Sequence, residues 1–282
     1  MEFCISKNFG FCFGVNLAVK SAYEESENNN LLYSYGEVVH NNIVIKNLLK
    51  KNVKIINDIN EIEDFENSRI LIRAHGVPEK VFLDLRSKKI GKIIDRTCPK
   101  VKKIQKIVNN SYEIKKIIII GDFKHPEIIG INGWCKFSAF IIKNLQEAKR
   151  LIIDNNLKNS KICLVVQTTF NIKKYLEIEK FFTNNFKDVE IHNTICQDTL
   201  NRQKEIIEKS KEFEMIIIFG SKESSNSNKL FEIASRYYEY SQLIETRDEL
   251  DISDFNKVSK IFVCSSASTP KDLIFNRERE IL

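Results

Sequence analysis

Three of the seven cysteines in this 282-residue chain share one local setting. Cys12, Cys98 and Cys196 each follow a strand-like run and begin an amphipathic helical pattern. They lie 86 and 98 residues apart, and none belongs to a Cys-x-x-Cys pair. Structural zinc usually takes four ligands at close spacing, whereas soft thiolates also select iron–sulfur clusters. We therefore predict that the three thiolates hold one iron–sulfur cluster and leave one iron open for chemistry.

Each of these cysteines is predicted to lie at the amino terminus of a helix. Pro99 suits the first helical position after Cys98, because its missing N–H costs nothing there. The helix dipole favours an anionic cluster and lowers the pKa of a thiol at this position, so we expect depressed thiol pKa values. The remaining cysteines are interpreted as buried hydrophobic residues: Cys4, Cys135, Cys163 and Cys264.

The elements that position the cysteines repeat along the chain. Short β-branched runs alternate with charged helical segments, which is typical of an α/β architecture with mostly parallel strands. Predicted strands end in polar loops 28 and 63 residues after Cys12, 27 and 70 after Cys98, and 28 and 72 after Cys196. The pattern predicts three similar α/β domains in a pseudo-threefold, trefoil-like arrangement around a central iron–sulfur cluster. The predicted domains are residues 13–97, residues 98–195, and residues 196–282 together with 1–12.

Histidines occupy three of these loops. His40, His75 and His125 each stand at a predicted strand end, where open α/β sheets place their sites, and His192 is interpreted as a strand-edge residue. Glu127, two residues after His125, is the one acid of the polar set that we expect to point inward. A carboxylate beside histidines and an open metal site suits a proton donor.

Small hydroxyl and amide side chains fill the other loops. Residues 220–228 follow a predicted buried strand and precede a helical pattern, which is typical of an anion-binding loop. Residues 167–169 and 265–270 repeat this composition. Such neutral donors can hold a multiply charged anion, and a diphosphate is the anion we expect.

The composition argues against several classes of protein. The net charge of +6 is spread along the chain, so no nucleic-acid partner is expected. No apolar run reaches the ~20 residues that a membrane span needs, and the first residues show no signal peptide. An odd number of cysteines favours a reducing compartment, and we expect a cytoplasmic protein without a membrane partner.

The motifs resemble those of the 4-hydroxy-3-methylbut-2-enyl diphosphate reductase (LytB) family, in the family's order and over nearly the whole chain. They are Gly10-Phe11-Cys12-x-Gly14-Val15, Glu37-Val38-Val39-His40-Asn41, Ala74-His75-Gly76-Val77, Asp95-x-Thr97-Cys98-Pro99, His125-Pro126-Glu127, Gln167-Thr168-Thr169, Cys196-x-x-Thr199-x-Asn201-Arg202-Gln203, Ser224-Ser225-Asn226-Ser227-Asn228 and Ala267-Ser268-x-Pro270.

The resemblance implies the last step of the methylerythritol phosphate route, a reductive dehydroxylation that gives isopentenyl and dimethylallyl diphosphate. It implies a [4Fe–4S] cluster on Cys12, Cys98 and Cys196, with one iron not ligated by protein. It also implies that Glu127, with Thr168 and His125, delivers a proton. The electron donor would be flavodoxin or ferredoxin, and the chain would act as a monomer. The implied substrate-binding residues are His40, His75, His125, Thr168, Ser224, Ser225, Asn226 and Ser268.

Two alternatives stay open on the sequence. A [4Fe–4S] dehydratase resembling quinolinate synthase would bind a dicarboxylate, for which we expect an arginine-lined pocket. A non-catalytic iron–sulfur sensor or nucleic-acid binder would use the basic surface and show salt-dependent affinity. The chain also departs from the usual family pattern at a few positions, which we expect to affect rate and substrate affinity: Asn16, Leu17, Arg96, Ser265, Ser266 and Lys271.

Overall fold

The computed structural model of the protein describes residues 1–28, 31–155, 157 and 160–273. Its strands include the β-branched runs of the sequence, such as Ile117–Ile120. They are β1 (Glu2–Ile5), β2 (Leu32–Tyr35), β3 (Val53–Ile56), β4 (Arg69–Ile72), β5 (Lys92–Asp95), β6 (Lys116–Ile120), β7 (Phe140–Ile142), β8 (Ile162–Val166), β9 (Val189–His192), β10 (Met215–Phe219), β11 (Tyr240–Ile244) and β12 (Lys260–Ser265).

These strands form three four-stranded sheets, and every described strand pair is parallel. The strand orders are β3-β2-β4-β5, β7-β6-β8-β9 and β11-β10-β12-β1. The three orders are equivalent if β1 is counted as the last strand of the third sheet. The prediction of three similar parallel α/β units is therefore confirmed.

α-Helices connect most successive strands, both within a sheet and from one sheet to the next. They are α1 (Phe13–Ser26), α2 (Asn42–Lys50), α3 (Glu79–Ser87), α4 (Pro99–Ser111), α5 (Pro126–Gly133), α6 (Leu145–Asn155), α7 (Ile172–Asn185), α8 (Gln197–Lys209) and α9 (Ser225–Tyr237). No helix of the described residues is long and apolar enough to span a membrane.

The cores lie on both faces of the sheets. In β6, Ile118 and Ile120 pack into one hydrophobic cluster, while Ile117 and Ile119 pack into another on the opposite face. A strand buried on both faces has an unbroken apolar run, because successive side chains point to opposite sides of the sheet. Cys163 belongs to the second of these clusters and is fully buried, in agreement with its interpretation as a core residue.

The three sheets fall within the three predicted domains. The first sheet lies within residues 32–95, the second within 116–192, and the third combines 215–265 with β1. Strand β1 pairs with β12, which places the amino terminus in the third unit. The domain bounds themselves stay a prediction, and residues 274–282 lie outside the described part of the chain.

Candidate functional site

The polar loops of the three units meet at one cavity. The first loop of each unit follows β2, β6 or β10 and carries His40, His125 or Ser224, in each case five residues after the strand ends. A glycine follows each of these strands directly, and its N–H donates to the carbonyl at the end of the adjacent strand. The prediction that the strands end at the polar residues was therefore wrong by up to five residues, because these glycines end the strands earlier. The glycines are Gly36, Gly121 and Gly220.

The second loop of each unit follows β4, β8 or β12. It carries His75, Thr168 and Ser268, two or three residues after the strand ends. The cavity is lined by all twelve residues predicted for the site: Cys12, His40, His75, Cys98, His125, Glu127, Thr168, Cys196, Ser224, Ser225, Asn226 and Ser268. Their proximity is a feature of the structure, and their individual roles remain predictions.

Each predicted cysteine ligand caps a helix. Cys12, Cys98 and Cys196 are the N-cap residues of α1, α4 and α8. Their backbone N–H groups donate to the carbonyls of Ala267, Ala74 and Thr168 at 3.2, 3.0 and 2.9 Å. All three acceptors lie two residues beyond the strand that precedes the second loop, which is β4, β8 or β12. The same contact therefore anchors every cysteine to a second loop.

The expectation of depressed thiol pKa values was wrong for Cys12 and Cys98. Burial raises the pKa of Cys12 to about 11 and raises the pKa of Cys98. Backbone hydrogen bonds at the helix N-termini act in the opposite direction, but desolvation outweighs them. Since metal ligands must be deprotonated, we expect binding of a metal to release protons from these thiols.

The arrangement of the thiols fits a cluster better than a single ion. Among the described residues, the one group whose ligand atoms all lie within 4.8 Å of one another consists of His40, His75 and His125. The three cysteines line the same cavity but are not so closely grouped. A cluster of several irons presents a different iron to each thiolate and suits this wider arrangement. Gly14 leaves space for the Cys98 side chain, since a Cβ at residue 14 would lie 2.8 Å from the Cys98 Sγ.

Two buried side chains of α8 hold the loops around the cysteines, and the sequence reading assigned them no role. The Arg202 guanidinium donates to the carbonyls of Ser265 at 2.7 Å and Gly10 at 2.9 Å. It also pairs with Asp198 at 2.7 Å. The Gln203 side chain donates to the Phe170 carbonyl at 3.1 Å. These long-range contacts fix the loops that carry Cys12 and Thr168 relative to α8.

The three histidines form a cluster of uncharged rings. The ring centroids of His40 and His75, and those of His75 and His125, are 5.1 Å apart. Burial lowers the pKa of all three and brings that of His125 to about 4. The positive charge of Arg73 lowers them further. Neutral imidazoles are possible metal ligands, but a neighbouring cation disfavours a metal ion and favours an anion.

Several polar atoms beside the histidines have no partner within the described chain. The Nδ1 of His75 and both amide atoms of Asn226 are buried without a hydrogen bond. Ser224 caps α9, and its Oγ accepts from the Oγ of Ser268 at 3.2 Å. Buried polar atoms are nearly always satisfied, so these unpaired groups indicate a polar ligand in this part of the cavity.

Glu127 and Thr168 form a buried pair across two loops. Glu127 is 2% exposed, and its two oxygens accept from the Thr168 N–H at 2.7 Å and the Thr168 hydroxyl at 2.6 Å. Burial raises the pKa of Glu127, although both hydrogen bonds act against this. The Glu127 N–H donates to the Nδ1 of His125 at 3.1 Å, so the proton of the neutral ring lies on Nε2. The group is suited to holding and delivering a proton.

Comparison with known proteins places the chain in a family. The family model described as LytB protein matches residues 3–281. The chain belongs to the LytB family. Relatives from Clostridioides difficile (strain 630) and Alkaliphilus oremlandii (strain OhILAs), both named 4-hydroxy-3-methylbut-2-enyl diphosphate reductase, are 40% and 38% identical to it over 279 residues. Each alignment covers 97% of this chain and 96% of the relative.

Two solved structures of diphosphate reductases share the fold. The E-1-hydroxy-2-methyl-but-2-enyl-4-diphosphate reductase from Plasmodium falciparum is 29% identical and superposes with a TM-score of 0.89 over 96% of this chain and 85% of its own. An (E)-4-hydroxy-3-methyl-but-2-enyl diphosphate reductase, described as the terminal enzyme of the non-mevalonate pathway, is 31% identical, with a TM-score of 0.70. That superposition covers 99% of this chain and 97% of the other.

The comparisons favour the reductase over the alternatives. No arginine is among the described residues that line the cavity, whereas a dicarboxylate site was expected to have several. Among the departures from the family pattern, Asn16 and Leu17 belong to α1, and Arg96 donates to Ser21 of the same helix at 2.5 Å. Ser265 accepts from the Gly10 N–H at 2.7 Å, beside Lys271. These departures therefore surround the helix and loop that position Cys12.

Proposed function

We propose that this LytB protein reduces (E)-4-hydroxy-3-methylbut-2-enyl diphosphate to isopentenyl diphosphate and dimethylallyl diphosphate. Two electrons and two protons are consumed, the C–O bond to the allylic hydroxyl breaks, and water leaves. The observation that carries the proposal is the buried Glu127–Thr168 pair, which lies in one cavity with three thiols and a set of neutral anion-binding groups. The names of the relatives agree with it.

The three cysteines would hold a [4Fe–4S] cluster with one iron not ligated by protein. When bound, the cluster supplies the electrons and a Lewis acid. Cys12, Cys98 and Cys196 provide three thiolates, and the described cavity offers no fourth cysteine. The helices that they cap direct their positive dipole ends toward the negatively charged group.

Neutral donors would bind and orient the diphosphate. His40, His75 and Asn226 offer imidazole and amide groups, and the serines at the start of α9 add hydroxyl and backbone donors. Ser268 completes the set from the third unit. Anchoring the diphosphate fixes the allylic carbon and hydroxyl of the substrate in the reactive part of the cavity, which lowers the entropic barrier.

Glu127 would hold the proton that lets the hydroxyl group leave as water. Its pKa is raised by burial, so the carboxyl retains a proton at a higher pH than an exposed glutamate does. The Thr168 hydroxyl, 2.6 Å from the Glu127 Oε2, provides a route toward the substrate. His125 positions Glu127 by accepting a hydrogen bond from the Glu127 N–H at its Nδ1. The Nε2 proton of His125 is then available to the diphosphate.

The other expected partners follow from the reaction and the composition. A small electron-transfer protein, flavodoxin or ferredoxin, would reduce the enzyme, and the net charge of +6 suits an acidic donor. All seven cysteines are free, which suits a reducing compartment such as the cytoplasm. The chain would act as a monomer, because each unit contributes residues to a single cavity.

The test is an anaerobic assay of the cluster-reconstituted protein with the hydroxymethylbutenyl diphosphate and a reduced viologen. Formation of both five-carbon diphosphates, with matching viologen oxidation, supports the proposal. Glu127→Gln should keep the cluster and substrate binding while turnover falls by about 100-fold or more. Glu177→Gln removes a carboxylate on the exposed side of α7 and should behave as wild type. An intact cluster without any product from the wild-type protein would reject the proposal.

A further inference from the structure

Arg73 occupies a special place in the pseudo-threefold arrangement. It is the first residue after β4, and the equivalent residues after β8 and β12 are Gln167 and Ser266. All three side chains lie over the glycine that follows the neighbouring strand. A Cβ at Gly36 would lie 2.4 Å from the Nη1 of Arg73, and similar contacts link Gly121 to Gln167 and Gly220 to Ser266. Only the first unit places a charge at this position.

The equivalent neutral side chains are hydrogen-bonded, whereas Arg73 lacks a comparable partner. Gln167 accepts from the Asp122 N–H at 3.1 Å, and Ser266 shares hydrogen bonds with Ser268 and Thr269. The Nε of Arg73 is buried without a hydrogen bond, and no carboxylate of the described chain forms an ion pair with the guanidinium. Glu37, the acid with the largest effect on its pKa, contacts His40 instead.

Arg73 is partly buried, and removing a cation from water is unfavourable unless an anion compensates it. The guanidinium lies between the loops of His40 and His75, since Gly36 begins the first loop and Arg73 itself begins the second. Its charge reaches all three histidines and lowers their pKa. It does not line the cavity. An anion bound in the cavity, which His40, His75 and His125 line, would offset this charge.

We propose that Arg73 is the fixed positive charge of the diphosphate site, which compensates the anionic substrate from behind His40 and His75 without touching it. This inference rests on the proposed function. It makes Arg73 a positioning residue: neutral donors form the hydrogen bonds, and Arg73 supplies the charge that they lack. The charge is independent of pH, whereas that of the histidines is not.

The experiment compares Arg73→Met and Arg73→Lys in the reconstituted holoenzyme. Arg73→Met should raise the KM of the substrate and the inhibition constant of inorganic diphosphate by about 10- to 100-fold, with kcat changed less than about threefold. Inorganic phosphate, which carries less charge, should lose less affinity. Arg73→Lys keeps the charge and should stay within about threefold of wild type. Arg86→Met removes an exposed arginine of α3 in the same unit and serves as the matched control.

The outcomes show whether the positive charge of Arg73 or the shape of its guanidinium supports diphosphate binding. An unchanged inhibition constant for inorganic diphosphate in Arg73→Met would overturn the inference. An equal loss in Arg73→Lys and Arg73→Met, with intact clusters, would also overturn it, because the role would then lie in the shape of the guanidinium. If Arg73→Met does not fold, Arg73→Lys still decides: a loss of about tenfold or more contradicts a charge effect. Arg73-dependent binding of inorganic diphosphate without turnover would instead reject the proposed reaction.

Discussion

Replacing Gly14 by alanine should displace a cluster ligand without changing any ligand. Gly14 is the second residue of α1, and a Cβ there would lie 2.8 Å from the Cys98 Sγ and 3.0 Å from the Cys98 Cβ. Unstrained van der Waals contacts between a carbon atom and another heavy atom begin at about 3.5 Å. The new methyl group therefore forces the Cys98 side chain, or α1, to move by about 0.7 Å.

This movement exceeds what a metal site tolerates. Distances between a metal and its ligands hold to about 0.2 Å, so a thiol that is moved by several times this distance cannot keep its bond without further rearrangement. The metal-free protein is less sensitive. There the Cys98 side chain is free to rotate away, and alanine in place of glycine favours a helix by about 1 kcal/mol. We expect cluster loss with little change in the free energy of unfolding of the metal-free protein.

The assay measures iron and sulfide per chain after anaerobic reconstitution, together with cluster absorbance and urea unfolding of the metal-free protein. Gly14→Ala should retain less than about half of the wild-type iron and lose turnover in proportion. Lys20→Ala, at an exposed position of the same helix, should match wild type. A full iron content with wild-type turnover in Gly14→Ala would show that the contact with Cys98 does not constrain the ligand.

Three further predictions address the cluster, the proton donor and the histidines. Cys98→Ser should lose most of the cluster iron. Cys163→Ser changes a cysteine in the core of the second unit and should retain the wild-type iron content. Equal losses of iron in the two variants would contradict the ligand assignment. Thr168→Val removes the hydroxyl that is hydrogen-bonded to Glu127. In the viologen assay this variant should lower kcat by about 10- to 100-fold at nearly constant KM. An unchanged kcat would exclude the hydroxyl from proton transfer. For His125, the pKa is about 4 in the folded protein and 6.5 in the unfolded chain, so the unfolded chain binds more protons between these values. The free energy of unfolding of the metal-free protein should therefore fall by about 2 kcal/mol between pH 6.5 and 5. Urea denaturation should show a smaller loss in His125→Asn, which can still cap α5; identical pH profiles would refute the assignment.

The sequence by itself determined the parallel α/β units and the candidate ligands. Unbroken β-branched runs such as Ile117–Ile120 favour strands buried on both faces, because β-branched residues suit strands and the run is too short for a typical helix. The helix starts at the three cysteines were equally local, because Pro99 and the apolar periodicity mark them directly. The repeated spacing of cysteines and polar loops also indicated that all of these residues face one site.

Tertiary structure decided the electrostatics and the supporting contacts. The pKa of Cys12 depends on burial in the folded protein, and this desolvation overrides the local effect of the helix. The contacts of Arg202 with Ser265 and Gly10, and the close approach of Gly14 to Cys98, join residues far apart in the sequence. The sequence shows Arg73 as one basic residue among 44. Only the fold buries its Nε without a partner, because burial and distance depend on how the three units pack together.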